Sequence, residues 1–141
     1  MVGAGNAALT AALSAREQGA KVVVLERAPF DERGRNSRYT ARPIRFAHDG
    51  FDDLLKVMPD LTDEERKNTD FGTYSRDEYF DDMATMTRYR ADPDLVDMLV
   101  GNSLDTLVWM RSKGVRFQPS YGRQAFKVDG RFKFWGGLCL E

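Results

Sequence analysis

Six residues near the start of the chain, Gly3-Ala4-Gly5-Asn6-Ala7-Ala8, constrain the fold more than any other feature. Gly3 permits a tight turn, Gly5 lets the backbone approach a pyrophosphate, and Ala8 takes the small-residue position at a helix-strand contact. A loop of this kind opens a helix whose first amides and dipole attract phosphate. The next residues agree: Ala7, Ala8, Leu9, Ala11, Ala12, Leu13 and Ala15 predict a small-residue helix over 6–18, ended by Gly19. Residues 21–26, with the run Val22-Val23-Val24-Leu25, read as a parallel strand buried on both faces. That strand ends in Glu26, 21 residues after Gly5, where a carboxylate accepts hydrogen bonds from both hydroxyls of an adenosine ribose. It would also repel a 2'-phosphate, although Arg27 beside it offsets part of that repulsion. Only Met1 and Val2 precede Gly3, so the first strand of this βαβ unit is expected to be truncated.

The rest of the chain is punctuated locally. Residues 28–50 are interrupted by Pro29, Gly34, Pro43 and Gly50 and read as a long irregular segment of the kind that carries function. Thr62 with Glu65 and Ser75 with Glu78 are capping boxes, and Asp92-Pro93 is an N-cap followed by proline at the first helical position. The last of these helices is expected to run to about Lys113, where Gly114 stops it. Beyond it, residues 124–128 and 132–135 flank Asp129-Gly130 as a β-hairpin. A two-residue turn would set Phe126 against Lys133. A three-residue loop, Val128-Asp129-Gly130, sets Phe126 against Phe132 and is the preferred reading, because it keeps the basic side chains on the other face.

Bulk properties exclude several classes. With 21 Lys+Arg against 22 Asp+Glu and a formal charge of -1, nothing draws the chain globally to nucleic acid. No apolar run approaches the roughly 20 residues of a transmembrane span, and a cytoplasmic location is expected. A single cysteine, Cys139, rules out an internal disulfide framework and any multi-cysteine metal site; no metal ligands are expected.

The nucleotide loop alone does not choose between NAD and FAD. The polar segment Gly34-Arg35-Asn36-Ser37-Arg38-Tyr39-Thr40, about ten residues past Glu26, bears on the choice. Here the chain resembles the flavoprotein subunit family of succinate dehydrogenase and fumarate reductase, whose members follow the ribose-binding acid with a Gly-Gly-x-Ser segment lying on the flavin. Gly5-Asn6-Ala7-Ala8-Leu9, Asn36-Ser37-Arg38, Trp109-Met110 and Gly114-Val115-Arg116-Phe117-Gln118-Pro119 bring it nearest to the family's tricarballylate-oxidising branch. Two departures from the pattern stand out: Arg35 replaces the second glycine, and Arg42 and Pro43 stand where further glycines are usual.

The resemblance implies an α/β fold: a Rossmann-like FAD-binding βαβ portion, then a helical segment and a β-hairpin. Residues 1–50 would form the dinucleotide-binding unit with its flavin-contacting loop, 51–114 the helical segment and 115–141 the hairpin region. The capping and catalytic part, and every catalytic residue, are expected to lie outside this sequence. Gly3, Ala4, Gly5, Asn6 and Ala7 are then expected on the pyrophosphate, Glu26 on the ribose with Arg27 beside it, and Asn36, Ser37 and Thr40 near the flavin and its ribityl chain. Arg38 and Tyr39 occupy the place where succinate dehydrogenases carry the histidine that links the cofactor, so noncovalent FAD is expected. The implied activity is hydride transfer between the carbon of a di- or tricarboxylic acid and flavin N5, with an electron-transfer partner. An NAD-binding Rossmann reductase, or an inactive chain acting as a binding module, are the alternatives.

Two further features are weighed against structural roles. Arg116, Arg123, Lys127, Arg131 and Lys133 crowd the C-terminal region, either as an anion-attracting patch or, more commonly, as the solvated face of the hairpin. His48, the sole histidine, is expected to be a surface imidazole.

Overall fold

The computed structural model describes residues 1–40 and 43–141, with the side chain of Arg35 also outside the description. The departure at Arg42 thus lies outside the described residues. The chain divides into two compact units, Met1–Arg42 and Pro43–Glu141.

In the first unit, helix α1 (Asn6–Glu17) starts at Gly5, which stands at the N-cap in extended geometry. It ends as expected at Gly19, whose φ of 82° only glycine adopts without strain. Gly19 N–H donates to Arg16 O at 3.0 Å and Ala20 N–H to Ala15 O at 3.0 Å, the paired bonds of a Schellman termination. The buried strand expected at 21–26 is not formed as a ladder. Leu25 makes one parallel bridge to Val2, through Gly3 N–H to Leu25 O at 2.6 Å and Leu25 N–H to Met1 O at 3.0 Å. Val23 and Leu25 are 69% and 62% exposed. The reason is the lack of a cover: two residues lie alongside this segment, and among the described residues of this unit only Ala12 is buried. Two short 3₁₀ turns, Phe30–Glu32 and Arg35–Tyr39, order the segment that read as irregular.

The second unit is mostly helical: α2 (Phe51–Val57), α3 (Asp63–Asn68), α4 (Arg76–Thr87), α5 (Pro93–Gly101), α6 (Ser103–Ser112) and the single turn α7 (Tyr121–Gln124). Both capping boxes form, at Thr62 with Glu65 and at Ser75 with Glu78, and the Asp92 carboxylate caps α5 at Asp94 and Leu95. The helix expected from 93 to 113 is instead two. Asn102 breaks it, its Nδ2 donating to Met98 O at 2.8 Å, and Ser103 starts the next helix with its hydroxyl donating to Val100 O at 2.8 Å. The break turns Ser103 inward, where its oxygen accepts the N–H of Ala47 at 3.0 Å and satisfies a buried donor.

The hairpin uses the two-residue turn. Strands β1 (Ala125–Val128) and β2 (Arg131–Phe134) pair Val128 with Arg131, so Phe126 faces Lys133 and Lys127 faces Phe132. Asp129 and Gly130 both take positive φ, 51° and 81°, the type I' geometry whose twist matches that of the strands. The three-residue loop is overturned, and Phe126 finds its aromatic partner in Trp135, with ring centroids 4.2 Å apart, rather than in Phe132.

A segment around Phe46 ties this unit together. Ile44 exchanges backbone bonds with Leu140 at 2.8 and 2.9 Å, and His48 exchanges them with Tyr74 at 2.8 and 3.0 Å. Between these ties Phe46 sits fully buried with Leu54, Val57, Leu138 and Leu140. A second cluster of Tyr74, Tyr79, Val96 and Val100 joins α4 to α5. Truncating Leu54 to alanine therefore lowers unfolding stability by about 2 to 5 kcal/mol, and Ser75→Ala by about 1 kcal/mol through loss of the cap, as read by urea denaturation.

Candidate FAD site in the first unit

Backbone amides tie the nucleotide loop to the polar segment and to Glu26. Asn6 N–H, the first amide of α1, donates to Ser37 Oγ at 2.9 Å. Ala4 N–H donates to Glu26 Oε2 at 2.8 Å, and Ala28 N–H to Glu26 Oε1 at 2.8 Å. The bonds from Ala28 and then Ala4 hold the Glu26 carboxyl below its ordinary value of 4.5, so it is ionised at neutral pH. Each carboxylate oxygen keeps a second lone pair for a hydroxyl donor such as a ribose. Gly5 earns its place by close approach: a Cβ there would stand 3.3 Å from Ser37 Oγ and 3.6 Å from Gly34 O. Gly3 and Gly34, at φ 97° and 92°, carry the turns on either side.

Around these contacts lies a cavity of about 740 Å3, within the range of cofactor pockets. Ala4, Asn6 and Ser37 line it. Of the other expected residues, Gly3 and Gly5 shape the loop and Glu26 ties it, and the three lie outside the cavity lining. Ala7 follows in the first turn of α1, where amides have no intrahelical acceptor. Asn36 and Arg27 are exposed. Thr40 closes the 3₁₀ turn, its hydroxyl donating to Ser37 O at 3.2 Å. Sequence reasoning missed Phe30, Arg33 and Arg38, which also line the cavity. Arg33 stacks over the Phe30 ring and also donates to its carbonyl oxygen. The signal was there in two basic residues flanking Gly34-Arg35-Asn36-Ser37, with an aromatic after Pro29.

The residues fit an adenine dinucleotide: a glycine-lined approach, open first-turn amides, an ionised carboxylate with free lone pairs and a hydroxyl at the loop. Residues 1–38 match the family model of the FAD binding domain. This stretch is an FAD-binding segment. At the level of the cofactor domain the match supports the resemblance to the succinate dehydrogenase and fumarate reductase flavoproteins, and with it a flavin-dependent oxidoreductase. Comparisons with curated proteins and with solved structures give no match.

Away from this site, the basic residues of the hairpin region are dispersed. Lys133 pairs with Asp70 at 3.2 Å, Arg131 donates to Thr69 O at 2.9 Å, and Lys127 lies 4.7 Å over the Phe132 ring. Lys127 and Lys133 therefore sit on opposite faces, because the two-residue turn sets their register. His48 is not a surface residue; it is 2% exposed and packs its ring 5.2 Å from Phe46. Bonding of its backbone to Tyr74 pulls it inward, a long-range constraint that no local pattern encodes. Among the described residues no group of His, Cys, Asp and Glu is arranged to hold a metal, and no helix is long and apolar enough to cross a membrane.

Two pH dependences follow. Glu26 has a lowered folded-state pKa, so its contribution to the order of the loop is present above pH 4.5 and is lost as pH falls through the lower folded value. Amide resonances of Ala4 and Ala28 titrate together with a midpoint below 4.5, and Glu26→Gln abolishes that titration. Burial lowers the pKa of His48 from 6.5, against the opposing pull of the Asp53, Asp49 and Glu78 carboxylates. The stability of the second unit is then full above pH 6.5 and declines as pH falls from there toward the lowered value, while His48→Phe flattens the decline in thermal melts.

Proposed function

We propose that the chain is the FAD-binding part of a flavin-dependent oxidoreductase acting on a CH–CH bond of a di- or tricarboxylic acid, most like tricarballylate dehydrogenase. The observation that carries this reading is the joining of α1 to the polar segment through Asn6 N–H and Ser37 Oγ. It puts the hydroxyl that follows the family's glycine segment beside the phosphate loop, and Ser37 keeps its own proton for a phosphate or ribityl oxygen. The stretch Gly3 to Ala7 faces the pyrophosphate, with the amides of Gly5 and Ala7 as donors while those of Gly3, Ala4 and Asn6 hold the loop to Leu25, Glu26 and Ser37. Glu26 takes the ribose with Arg27 at its side, and Asn36, Ser37 and Thr40 meet the ribityl end. A Rossmann-like βαβ arrangement is the fold these roles belong to, and the parallel bridge of Val2 to Leu25 supports it.

When bound, the flavin supplies the redox chemistry by exchanging a hydride between its N5 and a substrate carbon. The chain contributes binding and orientation, and an electron-transfer partner reoxidises the protein in this reading. Attachment is noncovalent: Arg38 and Tyr39 replace the linking histidine, and the sole histidine is buried in the second unit. Asn36→Ala combined with Ser37→Ala weakens FAD binding by at least about tenfold, or about 1.4 kcal/mol, in a fluorescence titration. Unchanged FAD affinity in that double variant, with NAD bound more tightly than FAD, would overturn the flavin reading in favour of a nicotinamide reductase.

A further inference from the structure

The second unit contains a buried polar group whose hydrogen bonds the fold leaves open. His48 is 2% exposed, yet neither of its ring nitrogens has a partner among the described residues. Buried polar atoms in this position carry a desolvation penalty unless another molecule meets them. The residue forms part of the wall of a cavity of about 180 Å3, together with Asp49, Asp53, Arg76, Gly101 and Ser103. At roughly 30 Å3 for each water-sized group, that space takes about six.

The bonding already made decides what else fits. Asp53 accepts from Asp49 N–H at 2.9 Å and is ion-paired with Lys56 Nζ at 2.7 Å, so its charge is already matched. Ser103 Oγ is engaged by Ala47 and Val100. Arg76 donates from Nη2 to Gly101 O at 3.1 Å and keeps the remaining donors of its fork. The Asp49 side chain makes no ion pair among the described residues. The cavity therefore offers one available anion, one available cation and a neutral imidazole that both donates and accepts. A simple anion would meet Arg76 but be opposed by Asp49. A simple cation would meet Asp49 and be opposed by Arg76. A molecule bearing both charges meets each with its complement.

We infer that this cavity binds a small zwitterion of the α-amino-acid class, its carboxylate on Arg76, its ammonium on Asp49, and His48 completing the hydrogen bonds between them. The proposal stands on the second unit alone and is independent of the flavin reading. Because the sequence holds one histidine, its ring resonances report on the cavity without ambiguity in NMR spectra of the 141-residue chain. At neutral pH, L-serine produces a saturable shift of the His48 ring signals. Acetate and methylamine, which each carry one of its two charges, bind at least about tenfold more weakly. Asp49→Asn and Arg76→Gln, both at exposed positions, each weaken serine binding by at least about tenfold with an unchanged circular dichroism spectrum. Absence of a saturable shift, acetate or methylamine matching serine, or variants that bind serine as the parent does would each overturn the proposal.

Discussion

The ionised carboxylate of Glu26 is the interaction on which the cofactor unit depends. Among its described residues that unit buries only Ala12, so apolar burial supplies little of the free energy that holds its shape. Instead, the shape is kept by a few directed polar ties: Glu26 to the amides of Ala4 and Ala28, Ser37 to Asn6, and the single bridge of Val2 to Leu25. Charge-assisted bonds to backbone amides are stronger than neutral ones, which lets one side chain position a loop. The same carboxylate that orders the loop is the one whose spare lone pairs face a ribose in the proposed complex. In that proposal structure and binding are coupled at one residue, and removing its charge would act on both.

What the residues announced, and what they did not, follows from the range of the forces involved. Capping boxes at Thr62 and Ser75, the Asp92 cap and the Gly19 and Gly114 terminations were all legible, because each is complete within about six residues. The apolar run at 21–26 was read as a buried strand, yet a strand exists only through its partners, and one bridge is what it has. The hairpin turned on a choice between two loops, and the backbone twist favoured positive φ at both Asp129 and Gly130 over the pairing of Phe126 with Phe132. The helix break at Asn102 and the burial of His48 were hidden for one reason: each answers to the segment 44–48, far away in sequence.

The cofactor and the substrate stand on different residues. FAD rests on residues 1–38, where the family match and the local geometry coincide. The tricarboxylate reading leans in addition on later residues, several of which do packing work. Gly114 terminates α6 at φ 91°, Phe117 is buried in the main core, and Pro119 bridges Leu140. That stretch lies outside the family match, and the chemistry of the acid is to be sought in groups that touch it. His48 illustrates the converse: a residue no motif singled out, marked by its unmet hydrogen bonds alone.

The central claim is that one loop and one serine form the cofactor cradle. Backbone amide spectra of the isotopically labelled chain during an FAD titration test it most directly. The account predicts that the amides of Ala4, Asn6, Ala7 and Ser37 shift together and saturate at one FAD concentration. Saturable FAD binding that leaves those four amides unmoved would contradict it.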